Sequence, residues 1–423
     1  MKYSIFNNRI PLSEKTDIVF NALSEQSIII HKNAKIPLVS NPENEKIMDS
    51  IRAKGIICDD NEVEMMKAKA SFLESAEDDS DFRLTINPTL QCNFRCWYCY
   101  EQHNANSVMT EDTIEAVKSL IDKILDKYNS IELAFFGGEP FLEFDSIVLP
   151  LLEYTSKICK QKDKKYIATF TTNGFLINPI IVNRLASYNI GVSQITLDGG
   201  PMFHNKTRKA NGCDSFNRIV GNIKMFAKAG FSVLLRINLT KENAQSALDI
   251  PGYFCDLDSK AQKKISVLVQ QVWQDAKNDI FEETWEIYES FLKIGIKPWP
   301  IYFNVLKAIC YADRRHSAVV NYDGRIFKCT AIDFNKKQED TTIYTDVLKQ
   351  LDVAFERRLE KRMSNNLCKE CRIFPLCGGG CSKNIDQSNG LPEYCLHPTD
   401  ADKDKVVKRV ISEQLIMERL GLR

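Results

Sequence analysis

The sequence predicts an α/β protein: a partial (β/α)6 barrel, preceded by a small α+β module and followed by a cysteine-rich domain. Three observations lead there. From Phe82 to about Trp299, short β-type runs alternate with longer amphipathic segments, the rhythm of a parallel sheet with helices outside it. Three cysteines stand directly after the first of those runs, and seven more follow once the rhythm stops.

In order, residues 1–80 carry the apolar stretches Asp17–Phe20 and Ser27–His31 and a helical segment from Glu43 to Lys54 that stops at Gly55. The acidic run Glu74–Asp81 reads as a solvated linker into the barrel, residues 81–300. The strand candidates are Leu84–Asn87, Ile131–Phe136, Tyr166–Thr172, Val192–Leu197, Val233–Asn238 and Ile265–Gln270. Between the first two, Ile114, Val117, Leu120, Ile121, Ile124, Leu125 and Tyr128 mark one helical face. Asn178-Pro179 starts a further helix, and Asp214 to Gly230 has polar caps at one end and glycine at the other. Such TIM-like barrels place their chemistry at the C-terminal ends of the strands. Residues 301–400 form the cysteine-rich domain, and residues 401–423 a charged amphipathic helix with Val406, Val407, Val410, Ile411 and Leu415 on its docking face.

Lys plus Arg and Asp plus Glu both number 56, and no long basic stripe stands out, which argues against nucleic acid as a partner. The first residues lack the apolar core of a signal peptide and no apolar run reaches the length of a membrane span, so a cytoplasmic protein without membrane attachment is expected. In a reducing compartment the 14 cysteines read as metal ligands rather than disulfides. Ten are clustered; Cys58, Cys159, Cys213 and Cys255 read as small apolar fillers. His31, His103, His204, His316 and His397 have no partner in sequence that points to a triad or a zinc site.

Cys92, Cys96 and Cys99 lie within eight residues and are one thiolate short of a closed four-ligand site, so they either leave a coordination position open or form a zinc knuckle completed elsewhere, for instance by His103. Gly137-Gly138-Glu139-Pro140 follows the second strand: the glycines admit close approach to backbone, and the carboxylate can accept from an ammonium group. Alone, that tetrapeptide is also a simple turn before a helix.

The spacing Cys-x3-Cys-x2-Cys, with Tyr98 before the last cysteine, resembles the signature of the radical S-adenosylmethionine (radical SAM) superfamily. The resemblance implies a [4Fe-4S] cluster on Cys92, Cys96 and Cys99, its fourth iron chelated by SAM, whose reductive cleavage yields a 5′-deoxyadenosyl radical. Gly137 to Pro140 resemble the family's GGEP motif, which contacts the SAM amino group. Thr171-Thr172-Asn173-Gly174 resembles its turn beside the cofactor, and Thr196-Leu197-Asp198-Gly199 its Ser-Leu-Asp-Gly segment; Thr196 and Arg208 are thereby implied at the ribose or carboxylate of SAM. A flavodoxin- or ferredoxin-type reductase is implied as electron donor.

Past Trp299, Cys310 and Cys329 bracket Asn321–Phe327, whose Asp323-Gly324 reads as a hairpin turn, and then come Cys368-x2-Cys371-x5-Cys377-Gly-Gly-Gly-Cys381 and Cys395. A zinc ribbon accounts for four of these and leaves three over. All seven resemble the SPASM domain of peptide-modifying radical SAM enzymes, which holds two auxiliary [4Fe-4S] clusters, making three in all. By that resemblance Cys368, Cys371, Cys377 and Cys395 hold an outer cluster, and Cys310, Cys329 and Cys381 an inner one. The inner set is one ligand short, since Phe303-Asn304-Val305-Leu306 supplies no cysteine, and an iron open to a substrate thiolate is one reading; a pure electron relay is the other. Sulfatase-maturing relatives carry a basic aspartate immediately after the second of these cysteines; here Thr330 stands there and Asp333 is the nearest candidate base.

The expectation is therefore a radical SAM peptide maturase acting on a ribosomally made precursor and forming a thioether or other intrapeptide cross-link. In that family an N-terminal module such as residues 1–80 can grip a leader peptide; the alternative here is a cap packed on the barrel. The alternative functions are a sulfatase-maturase-like side-chain oxidation and a non-catalytic cluster-bearing or zinc-bearing scaffold.

Overall fold

A computed structural model describes residues 1–39, 44–78, 80–209, 214–299, 309–387, 394–419 and 421. Cys213 and the stretch Phe303–Leu306 lie outside the described residues. The chain divides into two compact units.

One unit takes Asp79–Trp299 and His316–Asp352. Its six strands are Phe82–Ile86, Ser130–Phe135, Lys165–Thr172, Ile190–Leu197, Ser232–Leu239 and Ile265–Gln271, each within two residues of its expected limits. Each pairs in parallel with the next in chain order. Alternation sends Leu84, Leu133, Ile195, Leu235 and Val267 into a single core. The helix Glu111–Lys127 covers part of it with Val117, Leu120, Ile121, Ile124 and Leu125, and Thr110 caps its start by accepting from the Thr113 N–H. Asn178 caps the helix Pro179–Leu185 by accepting from the N–H groups of Ile180 and Ile181. Asp214 caps Ser215–Lys228 in the same way.

The sheet does not end with the sixth strand. Ser317–Val320 pairs in parallel with Phe82–Ile86, then turns through Asp323-Gly324, with Gly324 at φ +78°, into the antiparallel strand Arg325–Phe327. The expected hairpin is thus part of the barrel unit's sheet, and it covers the edge that the first strand would otherwise expose.

The other unit takes Met1–Asp78, the described part of 300–315, and Val353–Arg423. Asn7–Pro11, Thr16–Asn21 and Gln26–His31 form an antiparallel meander. The first of these was not foreseen, because Asn-Asn-Arg-Ile-Pro carries little apolar signal. The acidic stretch from Glu74 is also not a linker as far as Glu77: the helix Asn61–Glu77 runs through it. Ala76 packs with Phe72 and Phe355, and Glu77 pairs with Arg315, so tertiary contacts outweigh the local charge. The C-terminal helix, Asp400–Arg419, buries Val406, Val407 and Val410 beside Phe6 and Phe20, whereas Leu415 is 61% exposed and docks on nothing described. Cys159 is buried as expected of a filler, but Cys255 is exposed. Among the described residues no helix is long and apolar enough to cross a membrane.

Candidate active site

The chain leaving the first barrel strand makes an excursion closed at its base by a bridge between Thr89 and Val108 and by Met109 N–H donating to Pro88 O, 2.9 Å. Cys92, Cys96 and Cys99 sit on that excursion. Phe94, between the first two, is buried edge-to-face on Phe175 and anchors it.

The second strand delivers Gly137 and Gly138 against this loop. Gly138 N–H donates to Thr89 O at 3.1 Å and Glu139 N–H to Gln91 O at 2.8 Å. A Cβ on Gly138 would stand 2.1 Å from Gln91 O, and one on Gly137, which has φ +103°, 2.4 Å from Thr89 O. Only glycine permits that approach.

Glu139 is fully buried. Its carboxylate accepts from Thr172 Oγ1 at 2.7 Å, Asn173 N–H at 2.7 Å and Phe141 N–H at 3.1 Å. Burial raises its pKa, and those three donors oppose the shift. Neither Glu139 nor Pro140, at the start of a short 3-10 turn, lines the cavity below. These local donors hold the carboxylate, which joins the second strand to the third.

The third strand in turn holds the cysteine loop, since Asn173 Nδ2 donates to Asn93 Oδ1 at 2.7 Å. The fourth is tied to it through Tyr98, whose hydroxyl donates to Asp198 Oδ2 at 2.7 Å while Arg208 bonds both groups.

These loops enclose a cavity of about 180 Å³ at the C-terminal ends of the strands. All three cysteines line it, as do Tyr98, Gly137, Gly138, Thr172, Asn173, Thr196 and Arg208, so every expected site residue of the barrel loops except Glu139 and Pro140 meets there. Burial pushes Cys92 up to about 12, Cys99 up to about 11, and raises Cys96. Without a metal these thiols keep their protons; coordination is what makes them thiolates.

The surroundings of the triplet fit an iron–sulfur cluster. The Phe94 N–H donates to Cys92 Sγ at 3.4 Å and Asn173 Nδ2 reaches it at 3.8 Å, the hydrogen bonding that cluster thiolates use.

His103, which the zinc-knuckle reading names, also lines the cavity, and so do Glu101, Arg236, Asn238, Gln271 and Trp273, which were not foreseen. Burial pushes the Glu101 carboxyl up to about 8, and its Oε1 has no hydrogen-bond partner. Arg236 and Asn238 lie two apart on the fifth strand, so the register of the Arg-Ile-Asn run is the signal that sequence carried for them.

Asp333 lies elsewhere: its carboxylate accepts from Asn335 N–H at 3.0 Å and pairs with Lys336. In the other unit Cys368, Cys371, Cys377 and Cys395 line one small cavity together with His397. Gly378, Gly379 and Gly380 all take positive φ beside it, turning the chain between Cys377 and Cys381. Cys310 and Cys381 belong to that unit too, and Asp313 links their segments by accepting from Ser382 and Arg362. Cys329 belongs to the barrel unit.

A parallel α/β sheet whose first loop brings three thiols into a cavity at the strand ends is an arrangement that fits an iron–sulfur enzyme of the barrel type. Residues 86–250 match the radical SAM superfamily, so the chain carries a radical SAM domain. A radical SAM cyclopropyl synthase, TigE, of Paramaledivibacter caminithermalis is 27% identical over 229 residues, 49% of this chain and 46% of that protein, so this match spans less than half the length of that relative. A cysteine-type anaerobic sulfatase-maturating enzyme of Clostridium perfringens is 24% identical over 353 residues, 74% of this chain and 93% of that protein. In fold the chain resembles anSMEcpe with bound AdoMet and Kp18Cys peptide, with TM-score 0.63, 20% identity and coverage of 79% of this chain and 98% of that one. It also resembles Streptococcus suis SuiB bound to precursor peptide SuiA, with TM-score 0.55, 18% identity and coverage of 93% and 98%. The chain thus carries a radical SAM domain and is similar to a protein-maturing enzyme over most of its length.

Proposed function

We propose that this enzyme modifies a ribosomally made precursor peptide, installing a thioether or another intrapeptide cross-link. The observation that carries the reading is the pairing of two cysteine sets in one chain: the triplet lining the barrel cavity, and the four thiols of Cys368, Cys371, Cys377 and Cys395 around a second cavity. The fold likeness to a protein crystallised with its precursor peptide supports the same reading.

Cys92, Cys96 and Cys99 would hold one [4Fe-4S] cluster, and Gly137, Gly138, Thr172, Asn173, Thr196 and Arg208 would frame SAM beside it. When bound, these groups supply a 5′-deoxyadenosyl radical able to take a hydrogen atom from an unactivated carbon. The chain's own part is to orient and to exclude water. Phe94, packed edge-to-face on Phe175, anchors the cysteine loop, and the triangle of Tyr98, Asp198 and Arg208 fixes that loop before any ligand arrives. The four thiols near His397 would hold an outer auxiliary cluster, and Cys310, Cys381 and Cys329 an inner one with an open iron for a substrate thiolate. Electrons would come from a flavodoxin- or ferredoxin-type donor, in the cytoplasm. Residues 1–80 would grip the leader of the peptide.

The sulfatase-maturase reading is favoured by the 353-residue match to such an enzyme. Thr330, standing where those relatives carry their basic aspartate, weighs against it.

The test is iron and sulfide per chain after anaerobic reconstitution, with 5′-deoxyadenosine formed from SAM and dithionite. About twelve irons per chain and deoxyadenosine formation agree with three clusters. A loss of two mass units from a short peptide encoded beside this gene marks a cross-link; conversion of a cysteine in a sulfatase-derived peptide to an aldehyde, with release of sulfide, marks the second reading. Stoichiometric zinc without SAM cleavage overturns both.

A further inference from the structure

We propose that Arg236 is the carboxylate-binding residue of the cavity. The inference deepens the proposed function and rests on it for the identity of the ligands.

Arg236 occupies the fifth barrel strand directly in register with Thr196 on the fourth and Leu268 on the sixth. Its neighbours Leu235 and Ile237 are fully buried on the opposite face, so alternation turns Arg236 and Asn238 toward the cavity that both of them line. Among the described residues its only hydrogen bond runs from Nε to Asn238 Oδ1, at 2.8 Å. The terminal nitrogens therefore have no protein acceptor. Asp198, the nearby carboxylate, is held by Arg208 and Tyr98.

Arg208, in the same cavity, offers a comparison. Its partners raise its pKa well above the usual value, whereas burial without a partner lowers that of Arg236. A desolvated guanidinium with no counter-ion is costly, and an amide-rich wall would be stable with a neutral residue at this position. The charge is accounted for if a ligand brings the anion. Asn238 holds Nε in place and so presents the two terminal nitrogens as a fork, the geometry that a carboxylate accepts at two points.

Two carboxylates can reach such a site under the proposed function: the α-carboxylate of SAM, and an acidic side chain or terminus of the substrate. The full chain, reconstituted anaerobically with iron and sulfide, is compared as wild type, R236Q and R236K. Equilibrium dialysis measures SAM and decarboxylated SAM, and tryptophan fluorescence, with Trp273 in the cavity wall, follows glutarate binding to SAM-loaded protein.

If the cofactor's carboxylate is the partner, R236Q weakens SAM about tenfold or more while decarboxylated SAM stays within about twofold, and R236K recovers part of the loss. If the substrate's carboxylate is the partner, SAM affinity stays within about twofold, and the glutarate quenching seen in the wild type disappears in R236Q. Unchanged binding of SAM with no glutarate site sensitive to R236Q overturns the proposal. Iron per chain and circular dichroism verify folding; should R236Q not fold, R236K, which keeps the charge without the fork, is read by the same criteria. Deoxyadenosine formation by the wild type is scored separately: its failure overturns the proposed function while dialysis still decides the role of Arg236.

Discussion

Arg208 Nε lies 2.7 Å from Asp198 Oδ2, and both side chains are more than nine-tenths buried. The hydroxyl of Tyr98 donates to the same carboxylate oxygen and accepts from Arg208, so a residue of the cysteine signature is bolted to the end of the fourth strand and the helix behind it. Removing one partner of a buried ion pair strands the other charge. D198N is therefore expected to cost about 3 kcal/mol of stability, and Y98F, which removes only hydrogen bonds, about 1 kcal/mol. Guanidinium denaturation of the two variants measures the difference; equal costs would show that the charge pair is not what holds the loop.

Glu139 joins the second and third strands by accepting three hydrogen bonds. In E139Q the amide nitrogen must face one of those donors, so a loss of about 2 kcal/mol is expected. Hydrogen exchange at the Asn173 amide should speed up more than at amides of the distant helix Glu111–Lys127. A uniform increase would place the effect in global unfolding instead.

Gly138 touches the backbone of Leu90 and Gln91, with no flexible side chain to yield. G138A should displace the cysteine loop and, with the three clusters proposed above, drop iron from about twelve toward about eight per chain, the loss of one four-iron cluster. Retention of full iron would mean that the loop tolerates the shift.

Asp313 follows Cys310 by three residues and accepts from Ser382, next to Cys381, as well as from Arg358 and Arg362. D313N leaves those guanidinium groups without their counter-charge, at a cost of about 3 kcal/mol. The expected readout is loss of auxiliary iron with the signal of the Cys92, Cys96 and Cys99 cluster kept. The reverse pattern would separate Asp313 from the auxiliary ligands.

His204 is buried, accepts from the Asp198 N–H through Nδ1, and has its pKa held well below the usual value by burial and by Arg208. The unfolded chain takes a proton near pH 6.5 that the folded chain refuses, so stability falls as pH drops below about 6.5 and is flat above it, by up to about 1.4 kcal/mol per pH unit. Melting temperatures of wild type and H204N between pH 7 and pH 5 test this: the slope should flatten in the variant.

The sequence by itself determined the sheet and most of the cavity. Runs such as Ile131–Phe136 and Val192–Leu197 carry enough local apolar signal to be strands in any context, and residues at the ends of parallel strands converge by geometry, which is why Cys92, Gly137, Thr172 and Thr196 meet. The spacing of Cys368 to Cys395 likewise foretold a shared site.

Only the tertiary structure decided where charge goes. Glu139 reads as a carboxylate at a strand end, and folding supplies the backbone and hydroxyl donors that surround it. Glu74–Glu77 reads as linker, yet Phe72, Ala76 and Phe355 pack around it as helix. Arg236 reads as one basic residue in a strand, and it becomes an uncompensated cation only because Asp198, close in space, is already held by Arg208 and Tyr98. Pairing of charges depends on distances between segments far apart in the chain, and no local pattern encodes those distances.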